Sequence, residues 1–80
     1  MEKRIGFIGL AVKHPMRHLS ELQKTLAVHE SLIVGRMAVS LKAKNLTLIT
    51  LAVEATTDEV GALAGQLGAL PEVRVKTGLI

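Results

Sequence analysis

The side chains of this sequence best suited to chemistry are three histidines, His14, His18 and His29. An imidazole can carry a proton near neutral pH or offer a lone pair to a metal ion. His14 and His18 stand four apart across a helix start, a spacing that can set two imidazoles on one ion. His29 lies eleven residues beyond His18, about 16 Å along a helix at ~1.5 Å per residue, so it cannot complete that site within one subunit. The chain has no cysteine, which excludes thiolate ligands, disulfides and cysteine nucleophiles together. Neither a metal nor a cofactor is expected.

Catalytic residues are not expected either. The acids Glu2, Glu21, Glu30, Glu54, Asp58, Glu59 and Glu72 fall mostly at element ends. Ser20, Ser31 and Ser40 have no nucleophile motif around them. Gly6 and Gly9 sit in a strand rather than in a loop that opens a helix, so there is no phosphate cradle. The best location for a small effector is the turn at Lys13 and His14 together with Arg36, whose cationic and hydrogen-bonding groups suit a carboxylate or phosphate at a subunit interface.

Positioning these residues falls to one small domain, since 80 residues support a single two-layer core over 1–80. Hydrophobic residues make up 49% of the chain, yet Phe7 is its one aromatic. Packing therefore rests on aliphatic side chains, and base or sugar stacking is disfavoured. The formal net charge of +3 comes from Lys and Arg in runs no longer than two, so a nucleic-acid footprint is not demanded. The start, MEKRIGFIGLAVKHP, reads as a strand rather than a secretory leader, and no stretch is long and apolar enough to span a membrane. A cytoplasmic location is expected, which makes the sequon at Asn45 a chance match.

Residues 4 to 12 are apolar on both alternating sets, the mark of a strand covered on both faces. Pro15 suits the first position of a helix over 15–29, with Met16, Leu19, Leu22 and Leu26 recurring at threes and fours. Strands follow at 31–39 and 46–53, joined by the polar hairpin loop SLKAKN. Thr56 and Glu59 have the spacing of a capping box for a helix over 57–69, which Pro71 ends. A last strand, EVRVKTGLI, turns Val73, Val75 and Thr77 inward and Arg74 and Lys76 outward. The order β-α-β-β-α-β predicts an α+β, ferredoxin-like fold: a four-stranded antiparallel sheet with strands one and three central and both helices on one face.

That arrangement leaves an apolar surface without cover. Whichever phase faces the helices, strands one and three keep a second apolar set, and Ile8, Leu10 and Leu48 are the candidates to meet a partner. A homodimer or homotetramer is expected, through the open face, an edge strand or both. Gly61, Gly65 and Gly68 support the same expectation. Each costs a helix about 1 kcal/mol against alanine, so their smooth side should lie close to another backbone, in the first helix or in a neighbouring subunit.

The run TTDEVGALAGQLGALPEVRVKTGLI resembles the family of iron-only hydrogenase system regulators, which share T-T-D-x-x-x-x-L-x-G-x-L-G followed by V-x-V-K-T. The match runs through Thr56, Thr57, Asp58, Leu63, Gly65, Leu67, Gly68, Val73, Val75, Lys76 and Thr77. The resemblance implies an ACT-like ferredoxin fold, similar also to the C-terminal domain of nickel-responsive repressors. It further implies a homo-oligomer with a regulatory role. An ACT-like sensor of a small effector held between subunits is the first functional expectation. The alternative is a transcriptional regulator that binds nucleic acid through a basic surface made of Arg17, Lys42, Lys44, Arg74 and Lys76 repeated by symmetry.

Overall fold

In the computed structural model, which describes residues 2–80 apart from the side chain of Met16, the elements follow the expected order. They are β1 (Arg4–Lys13), α1 (Pro15–Val28), β2 (Ile33–Leu41), β3 (Leu46–Ala55), α2 (Thr57–Gly68) and β4 (Val73–Leu79). The sheet runs β2-β3-β1-β4 with every neighbouring pair antiparallel, so β1 and β3 are central, as the order of elements predicts. The inward role expected for Met16 lies outside the described residues.

The central strands settle which phase the helices cover. Ile8, Leu10 and Val12 of β1 pair in register with Leu51, Ile49 and Thr47 of β3 beneath the helices. Ile8, Val12 and Leu51 are fully buried there with Leu22, Leu63 and Leu67. Ile8 and Leu10 are therefore close-packed in the subunit's own core and absent from the open face. The other phase carries Ile5, Phe7 and Ala11 on β1 and Leu48 on β3.

α2 starts where the capping box placed it. Thr56 Oγ1 accepts from the Glu59 amide at 3.2 Å, and Glu59 Oε1 accepts from the Thr56 amide at 2.8 Å. Val60, Leu63 and Leu67 form its buried stripe. A Cβ built on Gly61 or Gly65 meets nothing within 4 Å, so among the described residues no backbone outside their own helix crowds them, and the close approach to the first helix is absent. Gly65 and Gly68 instead line a hollow beside β4, with Val73 and Val75 opposite. α2 leans on the sheet through its bulky stripe, which holds the glycine side away from α1.

The second strand begins later than expected because Glu30–Leu32 form a short 3₁₀ helix that delivers Leu32 into the core. A bulge follows: Ile33 pairs with Val53 and Gly35 with Ala52, leaving Val34 as an extra residue. It decides the phase of everything after it. Arg36, Ala38 and Ser40 pair with Leu51, Ile49 and Thr47 on the helix side, and Met37 and Val39 with Thr50 and Leu48 on the open side.

Two glycines do answer to close approach. A Cβ on Gly6 would stand 2.5 Å from the Gly78 carbonyl oxygen, and one on Gly78 would stand 2.5 Å from Phe7 Cζ, because the Phe7 ring lies across that strand. Gly6→Ala should therefore lose about 1–3 kcal/mol of stability through overpacking. Gly61→Ala and Gly65→Ala, placed in open space on a helix, should each gain up to about 1 kcal/mol. Urea denaturation of the three variants checks both signs.

Candidate functional site

At one end of the sheet three chain reversals meet, and each turns on a residue that is not glycine in the left-handed region: His14 (φ 49°), Asn45 (φ 50°) and Glu72 (φ 61°). Asn adopts that conformation readily, whereas His and Glu pay roughly 1–2 kcal/mol for it. The cost is offset by mutual bonding. The Lys13 amide donates to the Glu72 carbonyl at 3.0 Å, and the His14 amide to the Asn45 carbonyl at 3.1 Å. The end of β1 is thereby tied to the start of β4 and to the β2–β3 hairpin.

The side chains of the same residues converge. His14 stands at the N-cap of α1 without capping it through its side chain, Pro15 occupies the first turn, and His18 lies one turn on. His18 Nε2 donates to Glu72 Oε1 at 2.9 Å, His14 Nε2 lies 3.4 Å from Glu72 Oε2, and Arg17 Nη1 lies 4.0 Å from Glu72 Oε1. Asn45 Nδ2 donates to His14 Nδ1 at 2.8 Å. With Nδ1 accepting, the proton of a neutral His14 ring sits on Nε2, toward the carboxylate. The hydrogen bond from His18 holds the Glu72 carboxyl below the usual glutamate range, helped by the Arg17 guanidinium and opposed by desolvation.

The two imidazoles spaced four apart both face Glu72, whose carboxylate stands between the rings. Among the described residues no set of three such side chains is arranged to hold a metal ion. His29 sits at the far end of α1, where Nε2 bonds Gln66 Oε1 of α2 at 2.9 Å. Lys13, His14 and Arg36, expected to share one effector, are separated. Strand alternation puts Lys13 on the open side, the bulge turns Arg36 to the helix side, and His14 faces Glu72. Arg36 instead lines a groove of about 420 Å³ between α1 and β2, with Leu19, Gln23, Ala38 and Ile49.

Sequence reasoning missed Asn45 and Glu72 as members of the cluster. Their partners lie 31 and 54 residues away, and an acid just before a strand resembles any solvated turn residue.

On the open side the sheet exposes five large apolar side chains, Ile5 (54%), Phe7 (47%), Met37 (64%), Val39 (45%) and Leu48 (42%), with Thr50 and Glu54 of β3 on the same face. Gly9, Ala11 and Thr50 form a shallow trough at its centre, flanked by Arg74 and Lys76.

A profile of the TM1266-like family, whose description reads "Iron-only hydrogenase system regulator, putative", matches residues 4–77. The chain belongs to that family. Its fold agrees with the solved structure of an uncharacterized protein, TM1266, from Thermotoga maritima: TM-score 0.94, 28% identity and 99% of each chain covered. More distantly, it matches SnoaB, a cofactor-independent oxygenase from Streptomyces nogalater, with TM-score 0.61 and 18% identity over 98% of this chain and 91% of that one. A mutant of SnoaB gives TM-score 0.58 at 19% identity, over 96% and 90% of the respective chains. At that identity the likeness to the oxygenase is one of fold alone. No protein of curated function matches the sequence.

Because the folded-state pKa of Glu72 is depressed, its contribution to stability is present above the ordinary glutamate value of about 4.3 and is lost as pH falls through the lower, folded-state value. Glu72→Gln should unfold more easily than the parent near pH 7, and the difference should vanish toward acid pH. Denaturant midpoints measured across pH 3–7 read this directly.

Proposed function

We propose that the chain works as a self-associating regulatory module of the iron-only hydrogenase system, a dimer or tetramer in which a second copy covers the open sheet face. The observation that carries this reading is the apolar surface formed by Ile5, Phe7, Met37, Val39 and Leu48. At the exposures given, these side chains offer roughly 400 Å² per subunit, about half of the ~800 Å² that each partner contributes to a standard interface. At ~25 cal/mol per Å², burying that area favours association by roughly 10 kcal/mol per subunit, against a cost of about 4–15 kcal/mol for lost rigid-body freedom.

The family description supports the regulatory half of the reading. A module that assembles can regulate when an effector binds two arrangements with different affinity. The nucleic-acid alternative draws on Arg17, Lys42, Lys44, Arg74 and Lys76, of which Arg74 and Lys76 share the open face with the apolar patch. Placing phosphates there would leave Phe7 and Leu48 against water, so burial against a second copy is the better use of that face.

Light scattering coupled to gel filtration tests it. The parent chain should run as a dimer or larger at tens of micromolar. Phe7→Asp and Leu48→Asp should weaken association by at least about 100-fold while keeping the circular dichroism of the fold. A monomeric parent chain overturns the reading, and steeply salt-dependent binding of duplex DNA by that monomer would favour the alternative.

A further inference from the structure

The helix layer is narrower than the sheet. On β2 the residues turned to the helix side, Arg36, Ala38 and Ser40, remain exposed although they sit on the same side as the buried Leu51 and Ile49. The groove left between α1 and β2 has apolar walls from Pro15, Leu19, Leu26 and Ala38 and a floor that includes Ile49. Arg36 supplies its one cation, and among the described residues no acid lies within ion-pair distance of that guanidinium.

We infer that this groove binds a small monocarboxylate with an apolar body, its carboxylate held by Arg36 and its body lying along α1 toward Pro15. A planar guanidinium with free donors can engage a carboxylate through two parallel hydrogen bonds. The direction of the body follows from Glu30. It lines an adjoining pocket with Gln23, Ala27 and Ile33 on the other side of Arg36, and its negative charge disfavours the ligand's carboxylate on that side, leaving the approach from the Pro15 side. Toward Pro15 the walls are aliphatic until Ser40 and Thr47 close the far end. Arg36 and Ser40 are four residues apart on one strand, about 13 Å at ~3.3 Å per residue, room for a medium-length acyl chain. The groove lies on the opposite side of the sheet from the face assigned to self-association, so the two readings can fail separately.

Octanoate is the probe, with octanol as its uncharged counterpart, titrated into the full chain and followed by amide NMR. Octanoate should give saturable shifts at Leu26, Ser40 and Thr47 in the millimolar range or tighter, and octanol should bind at least about tenfold more weakly. Arg36→Gln, an exposed substitution, should weaken octanoate by a similar factor. Ala38→Phe, which fills the groove and leaves the guanidinium in place, should abolish the shifts. Absence of saturable shifts, equal binding by Arg36→Gln, or shifts confined to Phe7 and Leu48 on the open face would each overturn the inference. The oligomeric state, recorded on the same samples, reports on self-association independently.

Discussion

Two helices can hide only one face of a sheet whose central strands are apolar on both, and most of this molecule follows from that mismatch. On the covered face the packing is complete, with Ile8, Val12, Leu51, Leu63 and Leu67 removed from water. On the other, Phe7 lies flat over Gly78 and Leu48 stands half exposed. The helix layer also falls short at the sides. Past α1 it leaves β2 open as a groove, and past α2 it leaves a hollow above β4 where Gly65 and Gly68 face solvent.

Much of the architecture was legible because its signals are local. Pro15 opens α1, Thr56 and Glu59 cap α2, and alternating side chains mark the strands within a few residues of one another. What could not be read depends on longer range. The extra residue at Val34 appears only once β2 is laid against β3, and with it the side to which Arg36 turns. The meeting of His14, His18 and Asn45 with Glu72 joins segments that only the folded topology brings together. The glycines of α2 show a related limit of local signals: composition marks a bare helix side, but only the fold shows that α1 does not approach Gly61 or Gly65.

The strained end of the sheet shows how a small domain without disulfides fixes its chain reversals. His14 and Glu72 are unfavourable in isolation and Asn45 is not, yet each of the three supplies a bond that holds another. Backbone strain of this kind persists where surrounding contacts over-determine it. The TM1266 structure and the SnoaB structures show how widely the same arrangement of strands and helices is used. Shared architecture between a family of regulators and an oxygenase places the distinction between them in side chains at surfaces such as these.

The bulge at Val34 makes β2 a strand whose two surfaces are set by counting. If it ran regularly onward from Ile33, Arg36 would emerge among the aliphatic side chains of the outer surface and Met37 would drop into the cleft beneath α1. Relatives lacking a residue at this irregularity can keep both surfaces intact. Those that gain or lose one between Gly35 and Ser40 exchange them, so that a change in length alone decides which side chains each surface presents.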